Sequence, residues 1–213
     1  MTESLAGDVT AAASPEGDAA AASSRASRAL LDAALAHAIA TLAHDLRNAL
    51  GVVSMQVEVI AVRAASGQPD VAAIAASAAI ASDHIERLAE MTNALIAFAR
   101  GRTSSDLSVI VSEAAALVPL RPLSVSRPSV AAVGVDPTLT RAIALEVLVL
   151  ALARHRAPGF AVSTDPDGAT LEVVAGAPLV ADEALEWVVQ FRSVGGRIES
   201  TEDGLRLQFP PIA

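Results

Sequence analysis

The sequence contains no cysteine, no lysine and no tyrosine, and all 15 of its basic residues are arginine. The first absence excludes disulfides, thiolate metal sites and cysteine nucleophiles; the second excludes Schiff-base chemistry and the lysine-dependent phosphate loop. Aromatic residues make up 2% of the 213-residue chain, too few for base-stacking platforms, and a formal charge of −9 repels phosphate backbones, so nucleic acid is excluded as a ligand. Long uncharged runs are missing too. The longest in the helical region, Val71 to Ser82, falls short of the roughly 18 apolar residues a membrane span requires. Met1 to Asp8 holds Glu3 and Asp8 but no basic residue, unlike the start of a secretory signal. The expectation is a cytoplasmic protein with no membrane partner.

What the chain does have is 53% hydrophobic residues, 48 of its residues being alanine, enough for a packed core in one domain or two small ones. Residues 1–24 are nearly all Ala, Ser, Gly, Thr and acidic residues and read as a disordered tail. From about Ser24 to Ser66 there is no proline and one glycine, Gly51, and apolar residues recur at helical spacing, which predicts one long helix. Gly67, Gln68 and Pro69 break it. Asp70 is placed to cap a second helix to about Arg100, with Gly101 beyond its end. On that helix Ile74, Ala81, Leu88 and Leu95, and likewise Ala78, Ile85, Thr92 and Ala99, are seven apart, the seam of a coiled-coil-like bundle. A single antiparallel hairpin buries little, so two copies are expected to pair into a four-helix bundle. After Ser104 the pattern predicts helices over Leu107–Leu117, Pro137–His155 and Ala181–Val194. Strands are predicted over Ser124–Val135, Phe160–Thr164, Thr170–Ala175, Arg197–Glu199 and Leu205–Phe209. The fold class is α+β, with a sheet covered on one face.

The segment Ala43 to Leu50 carries the strongest functional signal. At 100° per residue, Leu42, Leu46, Ala49, Val53, Val57, Ile60 and Ala64 share one direction, the core stripe, and His44 points the opposite way. Arg47, Asn48, Gly51 and Met55 lie on the same outward face as His44, while Asp45 flanks it. A lone histidine on such a face is most simply a solvated one. Here a carboxylate beside it, an amide one turn on, a glycine that leaves room for an approaching partner, and Met55 and Val62 as an apolar docking patch favour a functional role. A neighbouring carboxylate can hold one ring nitrogen, fix the tautomer and leave the other nitrogen as nucleophile.

His44-Asp45-Leu46-Arg47-Asn48-Ala49-Leu50 resembles the phosphoacceptor box of bacterial sensor histidine kinases. Leu88 to Gly101 is similar to the end of the second helix of that family's dimerisation and phosphotransfer domain. Ala49 departs from the proline many of these kinases have, so the helix need not kink below the histidine. The resemblance continues in worn form: Val135-Asp136-Pro137 with Arg141 to His155 looks like the helix bearing the family's asparagine box, and Gly195-Gly196-Arg197-Ile198 through Phe209-Pro210 looks like its last hairpin. Ala151 and Val147 stand where the asparagines belong, and an alanine methyl cannot hold a hard cation. Ala175-Gly176-Ala177-Pro178-Leu179 replaces the adenine-binding motif, Ala181 to Ala184 replaces the second glycine-rich box, and too few residues separate them for a lid. The resemblance thus implies a domain over 25–103 for dimerisation and histidine phosphotransfer. It implies a degenerate ATPase-like α/β sandwich over 104–213 that binds no cofactor or metal of its own.

A phosphoacceptor box beside a lost ATP site resembles the bacterial histidine phosphotransferases that are built like a kinase but cannot phosphorylate themselves. This implies a phosphorelay role in which His44 takes a phosphoryl group from a response-regulator receiver domain and passes it to another, with Mg²⁺ brought by the receiver. His44 would be the nucleophile through Nε2, Asp45 would orient it through Nδ1, and Asn48 and Arg47 would meet the phosphoryl group or the receiver. Gly51, Met55, Arg63 and Arg87 are candidate partner contacts, with receivers, a hybrid histidine kinase and a second copy as expected partners. A pseudokinase adaptor or inhibitor, a divergent active kinase and a phosphatase cofactor using Asn48 fit the same box. His37, His84 and His155 read as structural or solvated. Gly195-Gly196 reads as a turn, and Trp187 and Phe191 as core.

Overall fold

The computed structural model describes residues 15–66, 70–101, 104–118, 123–126, 130–155 and 157–212. A single helix, α1 (Pro15–Ala64), runs for 50 residues. It begins about ten residues before the expected start near Ser24, because alanine is the best helix former and lengthening a nucleated helix is easier than starting one. The remainder of the expected tail, residues 1–14, and the break at Gly67, Gln68 and Pro69 lie outside the described residues. The second helix, α2 (Val71–Arg100), is capped by Asp70, whose carboxylate accepts from the Ala73 N–H at 3.0 Å, and closes on Gly101 at φ 53°.

α1 and α2 pack on one another. Among the buried or half-buried residues of α2, Ile74, Ser77, Ala81, His84, Leu88, Met91, Leu95 and Phe98 are spaced alternately three and four apart, with Ala73 and Ala94 beside them. One predicted row, Ile74 to Leu95, lies in this seam. The other is shifted by one residue: Ser77, His84, Met91 and Phe98 are buried or half-buried, whereas Ala78, Ile85, Thr92 and Ala99 are exposed. The two rows start three and four residues after Ile74 and share the seven-residue period, so spacing alone does not choose between them. The core stripe of α1 behaves similarly, with Leu42 and Ala49 buried, Leu46, Val53 and Ile60 half-buried, and Val57 and Ala64 exposed.

Between Asp18 and Ala64, α1 is also long and apolar enough to meet a length and hydropathy criterion for crossing a membrane, its best 18-residue window averaging 1.2. Reading uncharged runs misses this, because alanine raises the mean even where an arginine or aspartate interrupts the run. Of the large apolar residues in that stretch, Leu30, Leu31 and Leu42 are buried in the chain's own core, whereas Ile39, Leu50, Met55, Val57 and Val62 are exposed.

The rest of the chain follows the predicted order: α3 (Leu107–Ala115), β1 (Ser124–Ser126), α4 (Pro137–Arg154), β2 (Gly159–Asp165), β3 (Gly168–Val174), α5 (Glu186–Ser193), β4 (Arg197–Thr201) and β5 (Gly204–Phe209). The strands form one mixed sheet in the order β1-β2-β3-β5-β4, with β1 parallel to β2 across the α4 crossover and every other pairing antiparallel. Alternation puts Phe160, Val162, Leu171, Val173, Leu205 and Leu207 under the helices, and Ser163, Glu172 and Arg206 on the opposite, open face. Two predicted elements are shorter than expected. Among the described residues, the strand over Ser124–Val135 is formed at Ser124–Ser126 with an isolated Ala132 bridge to Asp106 farther on, and the helix over Ala181–Val194 starts at Glu186. There Asp182 forms a turn instead, its carboxylate accepting from the Ala184 N–H at 2.9 Å.

α4 is the centre of the molecule. It is apolar nearly all round, the signature of a helix buried on every side. Ala144 and Leu148 face α3 and the sheet, where they line a void of only about 10 Å³ with Val111, Phe160 and Leu171. Glu146, about 200° round from Ala144, faces α1, where its carboxylate is 3.1 Å from His37 Nδ1. The first half of α1 is therefore packed on α4, so the boundary expected at 103/104 is crossed by side-chain contacts.

Candidate functional site

His44 is exposed on the outer face of an unbroken helix, consistent with alanine rather than proline at position 49. Asn48 follows one turn later, and its amide nitrogen Nδ2 lies 3.1 Å from His44 Nε2. Arg47 and Gly51 are exposed beside them, and a Cβ built on Gly51 would have nothing within 4 Å, so the surface there is open. Met55 is 53% and Val62 66% exposed, large values for apolar side chains. Asp45 is half-buried and flanks the face, as its helical angle predicts.

The candidate arginines are not all near His44. Arg63 is 19 residues on, about 28 Å along the axis at 1.5 Å per residue. Val62 is almost as far, leaving His44, Arg47, Asn48, Gly51 and Met55 as the compact group. Arg87, on α2, has its Nε 3.1 Å from the Asp83 carboxylate one turn earlier, so its charge is partly neutralised. Among the described residues no group of three or more His, Asp or Glu side chains is arranged to hold a metal ion.

Of the positions compared with the kinases' nucleotide site, Val147 and Ala151 lie in the core, both 0% exposed, whereas Gly176 and Pro178 are exposed. The segment from Ala175 to Leu179 is tied at both ends to the β4–β5 hairpin: the Ala175 N–H donates to the Asp203 carbonyl at 2.7 Å, and the Leu179 N–H to the Gly204 carbonyl at 3.0 Å. Trp187 and Phe191 are buried, the Phe191 ring 4.7 Å from that of Phe209. Gly195 adopts φ 88° in a turn, and a Cβ on Gly196 would come within 2.4 Å of the Phe191 ring.

Two residues with structural consequences escape the sequence reading. The Arg141 guanidinium, its side chain 3% exposed, donates to the Glu113 carboxylate at 2.9 Å and to the Phe98 carbonyl, and lies 4.3 Å over the Phe98 ring. It joins the end of α2 to α3 and α4. An arginine amid the apolar residues of α4 was the available signal. His37 is the other, exposed as expected of a solvated histidine yet bonded to Glu146 of α4.

No protein-family model and no curated protein matches the sequence. Among solved structures the chain is similar to the histidine kinase AdeS of Acinetobacter baumannii, at 12% identity and a TM-score of 0.42, over 78% of this chain and 97% of that one. It is also similar to a bacterial phosphotransferase, at 14% identity and a TM-score of 0.44, over 83% of this chain and 94% of that one.

Proposed function

We propose that this chain is a histidine phosphotransferase of a two-component phosphorelay, accepting a phosphoryl group from a receiver-domain aspartate on His44 and passing it to another receiver. The observation that carries the reading is an exposed imidazole whose Nε2 accepts a hydrogen bond from Asn48 on an open helix face. That nitrogen attacks phosphorus as the acyl-phosphate P–O bond breaks and the electron pair returns to the receiver's carboxylate; the second transfer reverses these roles. Arg47 supplies positive charge beside the transferred group and Met55 an apolar contact, which a protein of net charge −9 needs locally in order to meet an acidic partner.

The packed side chains at Val147 and Ala151, and the short segment from Ala175 to Leu179 without a carboxylate, support a chain with no ATP-dependent kinase activity of its own. Mg²⁺ would come with the receiver. Pairing of α1 and α2, as an antiparallel hairpin, with those of a second copy in a four-helix bundle belongs to the same reading, as does a cytoplasmic location.

The test is a phosphotransfer assay on the full chain, with labelled ATP and Mg²⁺ alone and, separately, with a receiver kept phosphorylated by its own kinase. Label is expected only in the second reaction, acid-labile and lost in His44→Gln. Label from ATP alone would make the protein a kinase. No label from any receiver would turn the reading to a pseudokinase adaptor.

A further inference from the structure

The contact between Asn48 and His44 specifies a protonation pattern as well as a position. A carboxamide nitrogen carries two hydrogens and offers no lone pair, so Asn48 Nδ2 can only donate. His44 Nε2, 3.1 Å away, is therefore the unprotonated ring nitrogen, and in the neutral ring the proton sits on Nδ1. A neutral histidine in water prefers the opposite tautomer, with hydrogen on Nε2. Helix geometry explains why residue 48 can impose this: side chains lean toward the helix N-terminus, so a residue four positions on reaches back over its predecessor. Asparagine is also a poor helix former, and here it is exposed in an alanine-rich helix, so helix stability does not account for it.

We propose that Asn48 is a positioning residue that sets the tautomer of His44, keeping Nε2 unprotonated and nucleophilic before a receiver arrives. The inference rests on the reading of His44 as the phosphoryl acceptor. A hydrogen bond between neutral groups is weak enough to be given up on contact, and the same amide can then donate to a phosphoryl oxygen as Nε2 takes phosphorus.

The test is long-range ¹H–¹⁵N spectroscopy on the full chain labelled at its four histidines. Spectra are taken at a pH where imidazole is neutral, with His44 assigned by its loss in His44→Gln. The wild type is expected to show the Nδ1–H form at His44. Asn48→Ala should revert to mainly Nε2–H, and Asn48→Asp, whose carboxylate only accepts, should hold Nε2–H. If the competent tautomer falls to about a fifth in Asn48→Ala, phosphotransfer slows by at least about fivefold, because the amide's contact to the phosphoryl oxygen is lost as well. A wild-type His44 in the Nε2–H form, or spectra unchanged in Asn48→Ala, would overturn the proposal. The spectra need no receiver, so that result would leave the phosphotransfer reading standing, just as a failed transfer assay would leave the tautomer measured.

Discussion

Arg141 is the residue on which the relation between the long helices and the sheet most depends. Its guanidinium satisfies the Phe98 carbonyl at the last turn of α2, pairs with Glu113 on α3, and covers the Phe98 ring, all from a buried position on α4. Removing one partner of a buried ion pair costs more than the pair contributes, because the other group is left stranded. Glu113 is about a third exposed and can regain water, which moderates the loss. Arg141→Met keeps the side chain's bulk and removes its charge, so the expected destabilisation is about 2–4 kcal/mol, read as a lower urea midpoint at unchanged slope. A midpoint equal to the wild type would show that the end of α2 is held by apolar packing alone. An ion in the middle of an apolar helical pattern was visible in the sequence, but its partners lie 28 and 43 residues away, and spacing cannot reveal contacts of that range.

Among the elements, α3 shows how a short helix is fixed by one carboxylate. Asp106 accepts at a single oxygen from the Ser108 N–H at 2.9 Å, the Ser108 hydroxyl at 2.7 Å and the Ala131 N–H at 3.1 Å, tying the helix start to a distant segment. Burial pushes its carboxyl up, but the Ser108 hydroxyl and the N–H groups of Ala131, Ser108 and Val109 outweigh that and hold it below its ordinary value. The sign follows: the contribution is complete above the unfolded carboxyl's value and is lost as pH falls through the lower folded one. Asp106→Ala should cost about 1–2 kcal/mol at neutral pH, and the gap to wild type should narrow in acid, measured by urea unfolding across that range. A gap that does not change with pH would mean the carboxylate's charge contributes nothing. Sequence reading found the start of α3 but not this cap, whose partner Ala131 was assigned to a strand. It succeeded where capping and period agree, as at Asp70, Gly101 and the alternating β2, β3 and β5. It failed at the start of α1, where alanine carries the helix beyond the last large apolar residue, and in choosing between neighbouring rows of α2, which share one period.

At the scale of the whole molecule, the question is what covers the outer stripe of the long helices. Ile39, Leu50 and Val57 of α1 are 47%, 54% and 55% exposed, and with Leu46, Val53 and Ile60 they keep the spacing of a coiled-coil seam. Ile85 of α2 is exposed as well. By helical angle the stripe lies about 130° round α1 from His44. A second copy seated on it would therefore leave the phosphoacceptor face open, and the two surfaces would not compete. Light scattering on the native protein at micromolar concentration should give about twice the 21.6 kDa chain mass. The double variant Leu50→Glu, Val57→Glu should return a single-chain mass, because it places four like charges across one interface in the dimer. A native mass of one chain would remove the four-helix bundle from the proposal. If the charged variant were monomeric and still took phosphate on His44 at the wild-type rate, the bundle would serve stability and the chemistry would belong to α1 alone.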